Sequence, residues 1–146
     1  MAKLLFIASF PLLFISFCFA EEKTQAIYLV KKAADFIDAN GKEKTIQELN
    51  RGDSRFCKGN MYVFVYDTNG VMIAHPKNIN IVGVNLLNIP DANGHLYRKD
   101  IINVAKARGK GWVDYKYRNP GNGEIQDKSI YVCYAEKMIL CCSVYK

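Results

Sequence analysis

The stretch from Tyr62 to Pro76, YVFVYDTNGVMIAHP, constrains the fold more than any other part of the chain. Two short apolar runs, Tyr62 to Tyr66 and Val71 to Ala74, flank Asp67-Thr68-Asn69-Gly70. An Asn-Gly pair between such runs is the signature of a tight turn joining two antiparallel strands. Pro76 ends the second run, because it has no N–H to give to a strand ladder. Alternation then sorts the first strand: Tyr62, Phe64 and Tyr66 share one face, while Val63 and Val65 take the other. The small β-branched face suits a helix, and the aromatic face is left to meet something else.

The helix is close at hand. Glu22 to Asn50 carries Ala26, Ile27, Val30, Ala33, Ala34, Ile37, Ile46 and Leu49 at spacings of three, four and seven, which predicts an amphipathic helix. Asn40-Gly41 interrupts it before a second short helix from Thr45. Arg51 to Asn60 is polar and reads as a loop. Lys77 to Gly94 is rich in Asn, Gly and Pro yet keeps Ile79, Ile81, Val82, Val84, Leu86, Leu87 and Ile89, so it is a loop with a buried side of the kind that carries function. A helix follows over Leu96 to Ala107, ending in Lys106-Ala107-Arg108-Gly109-Lys110, where cations complement the helix dipole. Three strands close the chain, Gly111 to Tyr117, Ser129 to Ala135 and Met138 to Tyr145. The predicted fold class is α+β: a long N-terminal helix packed on a five-stranded antiparallel sheet, with the helices on one face and the central loop on the aromatic face.

At 146 residues, half of them apolar, the chain is long enough for one real core and too short for two. Its first 20 residues read differently from the rest. Lys3, the apolar run Leu4 to Phe17 and the ending Cys18-Phe19-Ala20 predict a signal peptide, residues 1–20, cut after Ala20. The other reading is an uncleaved anchor, for which Leu4 to Ala20 is only just long enough and is weakened by Pro11 and two serines. Cleavage is preferred, leaving residues 21–146 as a single exported domain, periplasmic or secreted, with no stable membrane insertion. Within it, residues 21–50 are helical and residues 60–146 form the sheet domain.

Export places Cys57, Cys133, Cys141 and Cys142 where disulfides persist. Facing strands about a turn at Glu136-Lys137 put Cys133 opposite Cys141 or nearly so. A cross-strand disulfide and buried free thiols are both open readings. With Lys3 set aside, 19 of the 20 basic side chains remain against 14 acidic ones, a surplus of 5 spread along the chain rather than gathered in a stripe. Nucleic acid is therefore discounted as a partner. No metal-ligand spacing, phosphate loop or nucleophile motif is present in the sequence, so the chain is expected to need no cofactor and to be no enzyme.

Five segments in order, YVFVYDTNGVMIAHP, IVGVNLLNIPDANG, GWVDYKYRNP, DKSIYV and SVYK, resemble successive blocks of the single Cache domain family. The resemblance covers Asn60 to Lys146. It implies an extracytoplasmic PAS-like fold that binds small organic ligands, often carboxylates or amino acids, for chemotaxis receptors and sensor kinases. It also implies roles for particular residues. Lys128 matches a lysine at the start of the fourth strand and would pair with a ligand carboxylate, while His75 would donate a hydrogen bond to the same anion. Tyr62 and Phe64 would form walls. Trp112 and Tyr115 match a GW..Y block, but strand parity puts them on opposite faces, and Trp112 is preferred as the ligand contact. Each has a plainer alternative: core packing for Tyr62, Phe64 and Trp112, a strand cap for His75, a solvated turn for Lys128. Receptors of this family continue into a signalling domain, so a chain closing at Lys146 is expected to act without an output domain in cis, as a monomer or weak dimer serving a separate membrane receptor. An exported protein-interaction domain with a non-functional pocket is the alternative function.

Overall fold

The computed structural model describes residues 11–146, with side-chain surroundings from residue 18 onward. The basic start and first half of the expected signal peptide lie outside the described residues. Helix α1 spans Pro11–Asn40 and α2 spans Lys42–Asn50. Gly41 separates them with φ 84°, and its N–H closes α1 by donating to the Ile37 carbonyl at 2.8 Å. A short 3-10 turn, Ser54–Phe56, leads to β1, Cys57–Lys58, a two-residue strand in the segment expected to be loop. Strands β2, Met61–Asp67, and β3, Met72–Ala74, form the hairpin. After the central loop come α3, Tyr97–Arg108, then β4, Lys110–Arg118, β5, Ile125–Ala135, and β6, Met138–Tyr145.

The sheet is antiparallel in the order β1-β2-β6-β5-β4, with β3 on the free side of β2. One face meets α1 and α2, where Ala26, Leu29, Val30, Ala33 and Ile37 bury themselves against Val63, Val65, Leu140, Cys142 and Val144. Each Val or Leu so buried contributes about 1.5–3 kcal/mol. The opposite face is covered by α3 as well as by the loop. Tyr97, Ile101, Ile102 and Ala105 pack on Phe64, Val113, Ile130, Val132 and Ile139. Helices therefore lie on both faces and not on one as expected, because the aromatic face continues into aliphatic rows on β4, β5 and β6 that a polar loop does not cover.

Two turns differ from what their residues suggest. Of Asp67 to Gly70, Gly70 alone has positive φ, 86°, so this is not a two-residue turn with Asn69-Gly70 at its centre. Instead the Asp67 carboxylate accepts the N–H groups of Asn69 and Val71, at 2.8 and 2.9 Å, and Gly70 N–H donates to the Asp67 carbonyl at 3.3 Å. The β5–β6 turn is the tight one, with Glu136 at φ 49° and Lys137 at φ 61°. Its register pairs Cys133 with Leu140 and Val132 with Cys141. Cys133 and Cys141 thus point to opposite faces, which removes that pairing; Cys142 shares the α1 face with Cys133, but all the described cysteines are free thiols.

Candidate ligand-binding site

Between the aromatic face of the sheet, α3 and the central loop lies a cavity of about 450 Å³. Tyr62, Phe64 and Tyr66 reach it from β2 by simple alternation. His75 reaches it because β3 carries a bulge. Tyr66 pairs with Met72 but Val65 pairs with Ala74, so Ile73 is one residue too many. The extra residue turns Ala74 to the α1 side and His75 to the cavity side, a re-aiming that bulges commonly perform.

His75 is held from three directions. Its backbone N–H donates to Asn50 Oδ1 at the end of α2, at 2.9 Å. Its Nδ1 accepts the N–H groups of Lys77 and Asn78 at 3.2 and 2.9 Å, which places the ring proton on Nε2. Its ring lies 5.2 Å from that of Tyr62 and 5.8 Å from that of Phe64. Burial holds its pKa below the ordinary histidine value, so the ring is neutral at pH 7 with one N–H to give.

Lys128 enters from β5, opposite Tyr115 on β4 and Tyr145 on β6. Its Nζ sits 4.7 Å from the Tyr117 ring centre and 4.2 Å from that of Tyr145. Burial lowers its pKa, and among the described residues no carboxylate lies within ion-pair distance of it. The neighbouring lysines are spoken for: Lys116 pairs with Asp127, and Lys146 with Asp114 at 2.7 Å. Tyr115 stacks on Tyr97 of α3, ring centres 4.5 Å apart, and its hydroxyl donates to Ser143 Oγ at 3.4 Å.

Tyr62, Phe64, His75, Tyr115 and Lys128 thus line one cavity. Trp112 does not join them. It packs on the α1 side of the sheet, 5.2 Å from the Tyr131 ring and beneath Lys23 Nζ at 4.5 Å. The preference for Trp112 over Tyr115 is therefore corrected. The β4–β5 register runs without a bulge from Lys110 to Arg118, so residues three apart stay on opposite faces, and it is Tyr115 that faces the cavity.

The structure adds Arg98, which sequence reasoning passed over, and shows what Tyr66 and Asp91 are bonded to. Arg98, in the first turn of α3, donates through Nε to the Tyr66 hydroxyl and through Nη1 to the Ile89 carbonyl, both at 2.9 Å, tying helix, sheet and loop together. Tyr66 is buried and its pKa is pushed up to about 12, so its hydroxyl stays protonated. Asp91 accepts the N–H groups of Asn93 and His95 within the loop and reaches across to Lys116 N–H of β4, each at 2.9 Å. Burial raises its pKa, yet those backbone donors together outweigh it and hold the carboxyl below its usual value. Parity within β4 was enough to group Tyr117 with Tyr115. Nothing local marked Tyr145, which joins through register alone.

Comparison with known proteins follows the same lines. The sensor histidine kinase MctS of Rhizobium johnstonii is 38% identical over 76 residues, which are 52% of this chain and 16% of the kinase. The chain thus spans about one sixth of the length of that relative. A Cache chemosensory domain solved for its recognition of carboxylic acids superposes with a TM-score of 0.69 at 23% identity, covering 89% of this chain and 97% of that one. The periplasmic sensor domain of a chemotaxis protein gives 0.66 at 23% identity, over 90% and 96%. At these identities the likeness is one of fold. Residues 20–141 match the Cache domain family, and the chain belongs to it, as a sensory domain similar to those of chemoreceptors and sensor histidine kinases.

Proposed function

We propose that the domain works outside the cytoplasm and binds a small organic carboxylate or amino acid in the cavity between β2, β5 and α3. Lys128 supplies the counter-charge, His75 Nε2 a hydrogen bond, and Tyr62, Phe64 and Tyr115 the walls. The observation that carries the reading is Lys128 itself: a half-buried ammonium, held between two tyrosine rings and lacking an anion among the described residues, at the edge of an aromatic-walled cavity. A cation left without a carboxylate in such a place is costly unless a bound anion completes it. The carboxylic acids recognised by the similar chemosensory domain are ligands of that chemistry. Calorimetry of wild type and Lys128→Ala with a panel of organic acids and amino acids near pH 7 tests it. A charge-assisted contact of roughly 1.5–3 kcal/mol corresponds to a loss of about tenfold to a hundredfold in affinity, with the fold intact. If no acid or amino acid binds, or if the variant binds as well as wild type, the site is elsewhere.

A further inference from the structure

Away from Lys128 the cavity is rich in hydrogen-bond donors. The Tyr66 hydroxyl oxygen accepts from Arg98 Nε, which leaves its own O–H to give, and Tyr66 is only 3% exposed. Tyr97, 7% exposed, lines the same cavity with a hydroxyl that has no hydrogen-bond partner among the described residues. Burial, and then the neighbouring Tyr66 hydroxyl, push its pKa up, so it stays protonated. Beside Phe64, His75 presents Nε2–H, since its Nδ1 already accepts two N–H groups. Arg98 keeps Nη2 after Nε and Nη1 are spent on Tyr66 and Ile89.

Charge is the second observation. The hydroxyls of Tyr62, Tyr97 and Tyr117 can accept as well as give, and Ser143 accepts from Tyr115, but none of them carries charge. Once Lys116 is set against Asp127, the cations Arg98, Arg118 and Lys128 of the lining stand against one carboxylate, Asp91, a surplus of two. Both Asp91 oxygens are taken by backbone N–H groups, and Asp100 pairs with His95 at 2.7 Å, so among the described residues no carboxylate lies within ion-pair distance of Arg98. The Arg98 guanidinium lies 4.4 Å from the Tyr97 ring centre, and Tyr97 stacks on Tyr115, the direct neighbour of Lys128 across β4 and β5. One tyrosine stack thus separates two cations that no acid of the described chain neutralises. A ligand with a single carboxylate answers only one of them. A guanidinium flanked by hydroxyl donors suits a second carboxylate, because its N–H groups match the two oxygens of a planar anion.

From the donor-rich lining and the surplus of charge we infer that the ligand is a dicarboxylic acid, with one carboxylate at Lys128 and the other received by Arg98 and the hydroxyls of Tyr66 and Tyr97. The inference rests on the carboxylate reading above and narrows it from one anionic group to two, with or without an amino group. Calorimetry near neutral pH tests it with diacids against monoacids of equal chain length: succinate against butyrate, glutarate against pentanoate, adipate against hexanoate, and glutamate against norvaline. Each pair is measured on wild type, Lys128→Met and Arg98→Met. The best diacid is expected to bind wild type about tenfold or more tighter than its monoacid, and this advantage to shrink to within about threefold in Arg98→Met. A merely structural role for Arg98 would weaken both members of the pair alike and leave the advantage in place. Should Arg98→Met not fold, Tyr97→Phe takes its place, since it removes one hydroxyl, keeps the ring stack, and is expected to cut the advantage by about threefold. If a monoacid binds as tightly as its diacid, or the advantage survives the variant, while Lys128→Met still weakens binding, this inference falls and the carboxylate reading stands. If none of these acids binds, or binding ignores Lys128→Met, both fall together.

Discussion

Trp112 and His75 show how much a single residue's role depends on which face it meets. Trp112 covers α1 and Tyr131, so Trp112→Ala removes half-buried packing and no cavity wall. It is expected to cost about 2 kcal/mol in urea unfolding, less than a fully buried aromatic, while calorimetry on the best-binding acid shows affinity within about twofold of wild type. His75 carries a pH dependence whose sign follows from burial. In the unfolded chain the imidazole takes up a proton near pH 6.5, and in the fold it does so only at lower pH. Between those values the unfolded state holds more protons, so the stability His75 contributes is complete above about pH 6.5 and is lost as pH falls through its folded pKa. Thermal unfolding followed from pH 7 to pH 5 is expected to show a slope that is shallower in His75→Gln. An identical slope in the variant would assign the effect to another group.

The two hairpins invert the residue types that turn geometry favours. Asn69-Gly70 sits in a longer turn organised by the Asp67 side chain, while the tight β5–β6 turn places Glu136 and Lys137, neither a glycine, in the left-handed region. Left-handed backbone costs an ordinary L-residue roughly 1–2 kcal/mol, and Asn-Gly meets a tight hairpin's demands with little of that cost. The double substitution Glu136→Asn with Lys137→Gly is therefore expected to stabilise the domain by about 1 kcal/mol in equilibrium urea unfolding. Both side chains project from the tip, away from the cavity, so ligand affinity stays unchanged. A neutral or destabilising result would mean that those side chains hold the turn by contacts of their own.

For the molecule as a whole, the fully buried contacts of α1 begin at Ala26; before that point Phe19 packs against the core, Lys23 lies over Trp112, and Gln25 accepts a hydrogen bond from Lys58 of β1 at 2.9 Å. Helix α1 runs from Pro11 without a break across Ala20, and no helix among the described residues is long and apolar enough to cross a membrane. We propose export with cleavage after Ala20, which would remove Phe19 but keep Lys23 over Trp112. A chain beginning at Glu21 is then expected to unfold in one cooperative transition within a few degrees of the full chain, and N-terminal sequencing of exported material should read Glu21-Glu22-Lys23. A chain that keeps Met1 in the membrane fraction would show that the segment serves as an anchor.

Periodicity alone determined a good deal of this protein: the α1 stripe, the two faces of β2, the order of helices and strands, and so the α+β class. Those features are local, since a repeat of two or of three to four residues decides which side chains share a face wherever the element ends up. The site was legible to the same extent. Tyr62 and Phe64 follow from alternation within β2, and Lys128 and His75 were singled out by family pattern and position. What the sequence left open depends on pairing between distant segments. The bulge at Ile73 turns His75 toward the cavity against plain alternation, the unbroken β4–β5 register chooses Tyr115 over Trp112, and the Cys133–Leu140 pairing parts two cysteines that a shift of one residue would have joined. That Lys128 has no carboxylate partner among the described residues, and that α3 closes the aromatic face, were likewise decided only in three dimensions, because a charge is unpaired and a face uncovered only with respect to what the chain brings near it.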